Sequence, residues 1–392
     1  MRGKIILKKG KEYSIERFHP WIFSGAIQSI DGDVTDGGWV DVYAYNQKYL
    51  GAGHYQNGSI AVRMLSFREQ PSVEFWNMKL EKALMLRKNQ NLPSESTNAF
   101  RLIHGEGDGL PGLIVDVYNG IAVVQAHSLG MHKDRIQITD ALKKIFNDNL
   151  AAVYYKSQTT LPGQDREAFP DEYLYGMSAV PHLIHENGNN FFVDWEEGQK
   201  TGFFLDQRDN RKLLSNFSEN KKVLNTFCYS GGFSIYALTA NASLVHSVDS
   251  SEKAIGLTRK NIELNGFSVL EHPCFAEDVF GFLKEKRDFY DVIVLDPPAF
   301  AKHRDARHQA VKGYQRLNSE AMKMIRSGGV IFTFSCSQVV DKKLFYDTIV
   351  SAAIQAGRQI KVLHHLSQAA DHPVSIFHPE GEYLKGLVLY VE

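Results

Sequence analysis

KKVLNTFCYSGGFSIYALTANASLVHSVD, residues 221–249, holds the pattern that decides the fold. An apolar run ends near Thr226, the pair Gly231-Gly232 follows, a helical stretch reaches Asn241, and a second apolar run closes on Asp249. Continuous apolar strands without polar alternation are buried on both faces, as in parallel sheets covered by helices. The same grammar continues downstream. SEKAIGLTRKNIELNG (251–266) reads as a helix that Ser250 or Ser251 can cap and Gly266 can end. DVIVLDPP (291–298) and GGVIFTFSCS (328–337) read as strands, with a helix around 312–326 between them. From about residue 180 the chain therefore predicts an α/β domain with a parallel, doubly wound sheet.

Upstream the pattern differs. Residues 1–70 alternate short Val/Tyr/Ile/Phe-rich runs with Asp-Gly, Gly-Gly and Asn-Gly turns, which predicts a small β-barrel-like module. After Pro71, apolar residues Val73, Trp76, Leu80, Ala83 and Leu84 recur at helical spacing, and NLPSESTN (91–98) reads as a linker. AFRLIHGEGDGLPGLIVDVYNGIAVVQAHS (99–128) reads as a strand, a glycine-rich turn and two hairpin-connected strands. Glu106 and Asp108 would repel an anion from that turn, so a structural role is expected for it. With a helix around 131–147 and the strand AAVYYKS, this makes an α+β unit. The expected boundaries are 1–70, 71–178 and 179–392.

The chain has 392 residues, 43% apolar and 23% charged, which suits a globular protein of two or three domains. No apolar run has the length of a membrane span, and the N-terminus lacks a secretory core. Cys228, Cys274 and Cys336 form neither a disulfide framework nor a metal-ligand spacing, so a reducing cytoplasm and no metal are expected. Net charge is −1, yet Lys302, Arg304, Arg307, Lys312, Arg316, Lys323 and Arg326 face only Asp305 and Glu320 within 300–326. Such a local surplus can attract phosphates.

Ligands of doubly wound sheets sit beyond the carboxyl ends of the strands. The first strand leads into Asn225, Phe227, Cys228, Ser230 and Gly231, where glycine lets backbone approach a ligand. Asp249 ends the second strand, 18 residues past Gly231, placed to accept from ribose hydroxyls. Asp278 and Val279 follow the third, an acceptor beside an apolar wall that would suit adenine. A glycine-rich turn plus an acid fits NAD equally well. The fourth strand separates the candidates, because Asp296-Pro297-Pro298 stiffly aims an exposed carboxylate, as methyl transfer to a planar base requires.

Cys336 follows the next strand, between Ser335 and Ser337, and its expected neighbours Lys302 and Arg304 would favour a thiolate. Thiolate attack on carbon-6 of a pyrimidine makes carbon-5 nucleophilic toward a sulfonium methyl. Asp296 would hold the edge of the base during that attack. Cys228 and Cys274 need no chemical role.

The motifs HGEGDGLPGLIVD, GQKTGFFLDQR, VLNTFCYSGGFS, DVIVLDPPAF, FTFSCS and ADHPV…HPEGEYLKGLVLYV, in that order, resemble the bacterial SAM-dependent large-subunit ribosomal RNA methyltransferases with an N-terminal PUA domain. The resemblance implies a PUA domain, a small central α+β domain and a class I, Rossmann-like SAM-methyltransferase domain. It also implies S-adenosylmethionine as donor, carbon-5 of a cytosine in 23S rRNA as target, and Cys336 as nucleophile. Carried over by position, Lys200, Thr201, Gly202, Asp206, Asn225 to Gly231, Asp249, Ser250, Asp278, Val279, Asp296 and Pro297 would line the cofactor pocket. Lys302, Arg304, Arg307 and Lys312 would touch RNA, with no membrane partner and a homodimer left open. Ala299 stands where two-cysteine enzymes carry a second cysteine, so product release cannot use that thiol. Three alternatives stay open: uracil carbon-5 methylation, exocyclic-amine methylation, and a catalytically silent RNA-binding assembly factor.

Overall fold

A computed structural model describes residues 2–162, 169–285, 289–301 and 303–392, and of Arg304 the backbone alone. The chain forms two compact units. The first comprises Met1–His182, Val193–Phe203 and Ala370–Gly381, and the second Leu183–Phe192, Phe204–Ala369 and Glu382–Glu392.

The first unit holds two sheets. One has six strands, in the order Trp21–Phe23, Ile60–Phe67, Tyr49–Tyr55, Trp39–Tyr43, Gly3–Leu7, Ile27–Asp31. Alternate residues Ile5, Leu7, Val40, Val42, Val62 and Met64 fill its core, as period-two patterning requires. The other has five, in the order Glu172–Tyr175, Ala152–Tyr155, Ile121–Ala126, Leu113–Tyr118, Ala99–His104. Helices Phe75–Lys88 and Arg135–Phe146 contribute Leu80, Leu84, Ile138 and Leu142 to its core.

The turn at Gly105–Asp108 is structural. Trp21 Nε1 donates to Glu106 at 3.0 Å. Fully buried Arg87 spends its guanidinium on Asp108 Oδ2 at 2.8 Å and on the carbonyls of Arg101 and Asp371, both at 2.8 Å. Asp371 in turn accepts from the Arg101 amide at 2.9 Å. Arg101 is also clamped by buried Asp116 through two bonds of 2.8 Å. These bonds explain why the ADHPV segment belongs to the first unit, although an undivided domain is expected from residue 179 onward. A buried cation without its carboxylate is costlier than an apolar replacement of the pair.

The second unit is built on a seven-stranded sheet, numbered here within that sheet. Its strands are β1 (Lys222–Thr226), β2 (Leu244–Asp249), β3 (Cys274–Ala276), β4 (Val292–Leu295), β5 (Gly329–Ser335), β6 (Ile360–Ser367) and β7 (Lys385–Val391). The spatial order is β3-β2-β1-β4-β5-β7-β6, with β7 antiparallel to both neighbours and the remaining pairs parallel. The order reverses between β1 and β4, the switch point where ligands gather. Helices α1 (Arg208–Ser215), α2 (Gly232–Thr239), α3 (Glu252–Leu264), α4 (Val279–Phe282), α5 (Arg307–Met324) and α6 (Lys342–Ala356) connect or flank the strands. Ser251, not Ser250, caps α3 by accepting from the Ala254 amide. The helix expected at 312–326 starts earlier, at Arg307. Gly313 sits inside it because the Phe300 ring packs 3.0 Å from where a Cβ would stand.

Arg87→Leu strands Asp108 without its cation, and urea unfolding is expected to show a loss of about 3–5 kcal/mol. Replacing both residues with apolar ones should recover much of it.

Candidate active site

The turn after β1 is held in an unusual backbone. Phe227, Tyr229 and Gly231 take φ values of 53°, 47° and 77°. The left-handed region costs non-glycine residues free energy, so the surroundings must enforce it. They do: Thr258 donates to the Tyr229 carbonyl at 2.9 Å, and Asn261 to that of Ser230 at 2.8 Å. Asp249 accepts from the amides of Tyr229 at 3.1 Å and Ser251 at 3.0 Å. Asp249 is thus tied to the turn and stays half-buried at the strand end. Buried Asn225 donates to Ser234 at 2.9 Å, while its Oδ1 has no partner among the described residues. That orphaned acceptor and the curled, glycine-ended turn fit a polar ligand lying across β1. Cys228 is buried, with its thiol pushed well up by burial.

Asp278 is exposed and caps α4 by accepting from the Gly281 amide at 2.8 Å. Val279, expected as an apolar wall, is 2% exposed and belongs to the core. Ser250 is exposed and Pro297 buried. Lys200, Thr201 and Gly202 lie in the first unit, whereas Asp206 lies in the second. Thr201 is fully buried and commits its hydroxyl to Asp116 at 2.6 Å.

At β4 and β5 the register pairs Leu295 with Thr333, so Asp296 and Cys336 leave neighbouring parallel strands at the same end. Gln207 Nε2 donates to Asp296 Oδ2 at 3.0 Å, and its own Oε1 accepts from Asn210 at 2.6 Å. Asp206 accepts from the Tyr383 hydroxyl at 2.5 Å, while its Oδ1 is buried without a partner among the described residues. Burial, and secondarily the neighbouring Asp206 charge, push the Asp296 carboxyl up to about 7. Cys336 is half-buried. Burial, then Asp296 and Asp206, push its thiol up to about 11, against the pull of Lys385. The resting sulfur is therefore a thiol, contrary to the expected thiolate. Two carboxylates outweigh the nearby cation, and that cation is Lys385, across from Ser335 on β7.

Of the residues expected to touch RNA, Lys302 and the side chain of Arg304 lie outside the described residues. Arg307 opens α5 and pairs with Asp341 at 3.5 Å, and Lys312 is exposed on the same helix. A cleft of about 400 Å³ lined by Arg307, Gln338, Val339 and Asp341 opens just past the Cys336 loop.

A parallel 3-2-1-4-5 sheet with an antiparallel seventh strand, and acids at its second and fourth strand ends, invites comparison with known proteins. Residues 100–374 match the S-adenosylmethionine-dependent methyltransferases, and residues 5–67 match a PUA-like domain. The chain belongs to the S-adenosylmethionine-dependent methyltransferase family. Among curated relatives, a ribosomal RNA large subunit methyltransferase I from Alteromonas mediterranea is 38% identical, over 100% of this chain and 99% of its own. The protein of that name from Aeromonas hydrophila is 39% identical, over 99% of each chain. A solved Streptococcus mutans protein described as a SAM-dependent methyltransferase superposes with a TM-score of 0.82 at 24% identity, covering all of both chains. That identity speaks for the fold alone. S-adenosylmethionine is the cofactor of this methyltransferase. Among the described residues no group of three or more His, Cys, Asp or Glu could hold a metal, and no helix is long and apolar enough to cross a membrane.

Gln207, Tyr383 and Lys385 escaped the sequence reading of the methyltransferase site. Gln207 directly follows Asp206, and Tyr383 and Lys385 stand in EYLKGLVLYV, where a lysine inside an apolar strand was a usable signal.

The Asp296 carboxyl binds its proton more tightly in the folded chain, at about 7, than at its ordinary value of 3.8. Folding therefore takes up a proton between those values, and the stability present below pH 3.8 is lost as pH rises through 7. Asp296→Asn should match the wild type at pH 4 and exceed it at pH 8 by on the order of 3 kcal/mol in chemical denaturation.

Proposed function

We propose that this methyltransferase methylates carbon-5 of a cytosine in 23S ribosomal RNA through a transient covalent bond to Cys336. The half-exposed Cys336, one strand over from Asp296 at the carboxyl edge of the sheet, carries the reading. The names of the curated relatives support ribosomal RNA as substrate, and the PUA-like match supports RNA as its class.

In this proposal the Asn225–Gly231 turn wraps the cofactor, Asp249 accepts from its ribose hydroxyls, and Asp278 receives the adenine. The buried Thr201 hydroxyl is already committed and is given no cofactor contact. The bound cofactor supplies an electrophilic methyl group on a sulfonium centre. Cys336 sulfur bonds to carbon-6 of the ring, and the electron pair of the 5,6 double bond makes carbon-5 nucleophilic. Asp296 binds the ring at N3. A carboxyl titrating near neutrality can share its proton with that nitrogen as charge builds on the ring. Once carbon-5 carries the methyl, its proton leaves to solvent and the electron pair restores the double bond by expelling sulfur.

The environment of Phe300 speaks against methylation of an exocyclic amine. Its ring lies 4.7 Å from Tyr314 and packs against Gly313, leaving it committed to the core rather than to a target base.

Cys336→Ala is expected to lower methyl transfer from labelled S-adenosylmethionine to unmodified ribosomal RNA by about a thousandfold or more, with cofactor binding retained. RNA carrying 5-fluorocytidine cannot lose a carbon-5 proton, so it should trap a denaturation-resistant complex with the wild type and none with the variant. Retained turnover by Cys336→Ala would refute the nucleophile.

The basic stretch that includes Arg307 and Lys312 is proposed to bind RNA phosphates. Affinity should fall steeply with salt, and the double variant Arg307→Gln/Lys312→Gln should flatten the log–log slope by about 1–2. Filter binding across a salt series checks this.

A further inference from the structure

Lys385 opens the buried, otherwise apolar strand β7, where a cation needs a reason. It is 5% exposed and lies directly across from Ser335 in the β5–β7 register. Its Nζ donates to the Ser337 carbonyl at 2.7 Å. One lysine thus touches the chain on both sides of Cys336. Among the described residues the other cations this deeply buried all have a carboxylate, Arg87 that of Asp108, Arg211 that of Glu186 and Arg208 that of Asp209 at 3.7 Å. Among the described residues no carboxylate bonds Lys385. A buried ammonium held by a single carbonyl is expensive, whereas a neutral amine in the same place still donates one N–H and keeps its lone pair. Burial accordingly pulls Lys385 down to about 8.

We propose that the Lys385 amine takes the Cys336 thiol proton as sulfur attacks the pyrimidine, and returns it when sulfur leaves. The inference rests on Cys336 being the nucleophile. In the forward step the S–H bond breaks, its electron pair forms the S–C6 bond, and the proton moves to Nζ to make an ammonium. In the last step the C6–S bond breaks with its pair staying on sulfur. The ammonium then gives its proton back, so thiol and amine are regenerated with no further reactant.

The two residues sit among several charges. Cys336 is faced by Asp296 beyond β4, by Asp206, by the neutral phenol of Tyr314 on α5, and by Lys385. Lys385 is faced by Cys336, Asp341, Glu382 and Lys342. Asp296 and Asp206 oppose a free thiolate, which is why sulfur needs a proton acceptor at the moment of attack rather than standing ionisation.

The test is the pH dependence of Cys336 alkylation by iodoacetamide on the full chain, read at the Cys336 peptide by mass spectrometry. Wild-type labelling should rise between about pH 7 and 9, where the amine becomes neutral. Lys385→Met should move that rise above pH 10, slowing labelling at pH 8.5 by about tenfold or more. Lys385→Arg keeps a cation but accepts no proton, so it should label faster than the Met variant yet fail to restore methyl transfer to ribosomal RNA. A wild-type curve that rises only above pH 10, or superimposable wild-type and Met curves, overturns the proposal. So does full methyl transfer by the Arg variant, which would leave Lys385 a fixed charge. Cys336→Ala retaining transfer is a separate failure, removing the nucleophile while leaving the alkylation curves as evidence on the pair.

Discussion

Parallel pairing of β4 with β5, in the register that sets Leu295 beside Thr333, is the constraint on which the site depends. Parallel strands run in one direction, so whatever follows each of them emerges at one edge of the sheet. Asp296 follows one and Cys336 the other. Both faces of these strands are buried, so a shift of one residue would turn every side chain into a packing environment shaped for its neighbour. The hydrophobic core therefore enforces the alignment of carboxyl and thiol without any direct bond between them.

Burial also sets the chemistry. A carboxyl brought near neutrality and a thiol kept protonated are what desolvation does to acidic groups in a crowded, low-dielectric place. Asp206 pushes up both Asp296 and Cys336, and Asp296 pushes up Cys336, while Gln207 and Arg211 pull the carboxyl and Lys385 the thiol the other way. Such a site holds its reagents in their uncharged forms until a substrate arrives. The hydrogen-bond chain from Ser367 through Asn210 and Gln207 to Asp296 holds the carboxyl in place while its charge is unsettled.

Much of this was readable along the chain. The strands and helices between residues 221 and 337 declare themselves by local pattern, because burial on both faces demands continuous apolar runs and turns demand glycine, whereas α6, β6 and the antiparallel course of β7 were not read from it. Asp249, Asp296 and Cys336 could be read as strand-end residues for the same reason: each stands where an apolar run stops. Val279 shows the opposite case, since an apolar residue beside a strand end can face either ligand or core, and one-dimensional pattern does not distinguish the two.

Local sequence determined the order of elements, the parallel sheet and the acids and thiol at its edge, since those depend on neighbours a few residues apart. Tertiary structure decided which distant groups meet them: Gln207 with Asp296, Tyr383 with Asp206, Lys385 with the Cys336 loop, and Asp371 with Arg101 and Arg87. Those partners lie tens to hundreds of residues away in the chain. The pull of a charge and the cost of burial depend on distance in space, which no spacing along a sequence encodes.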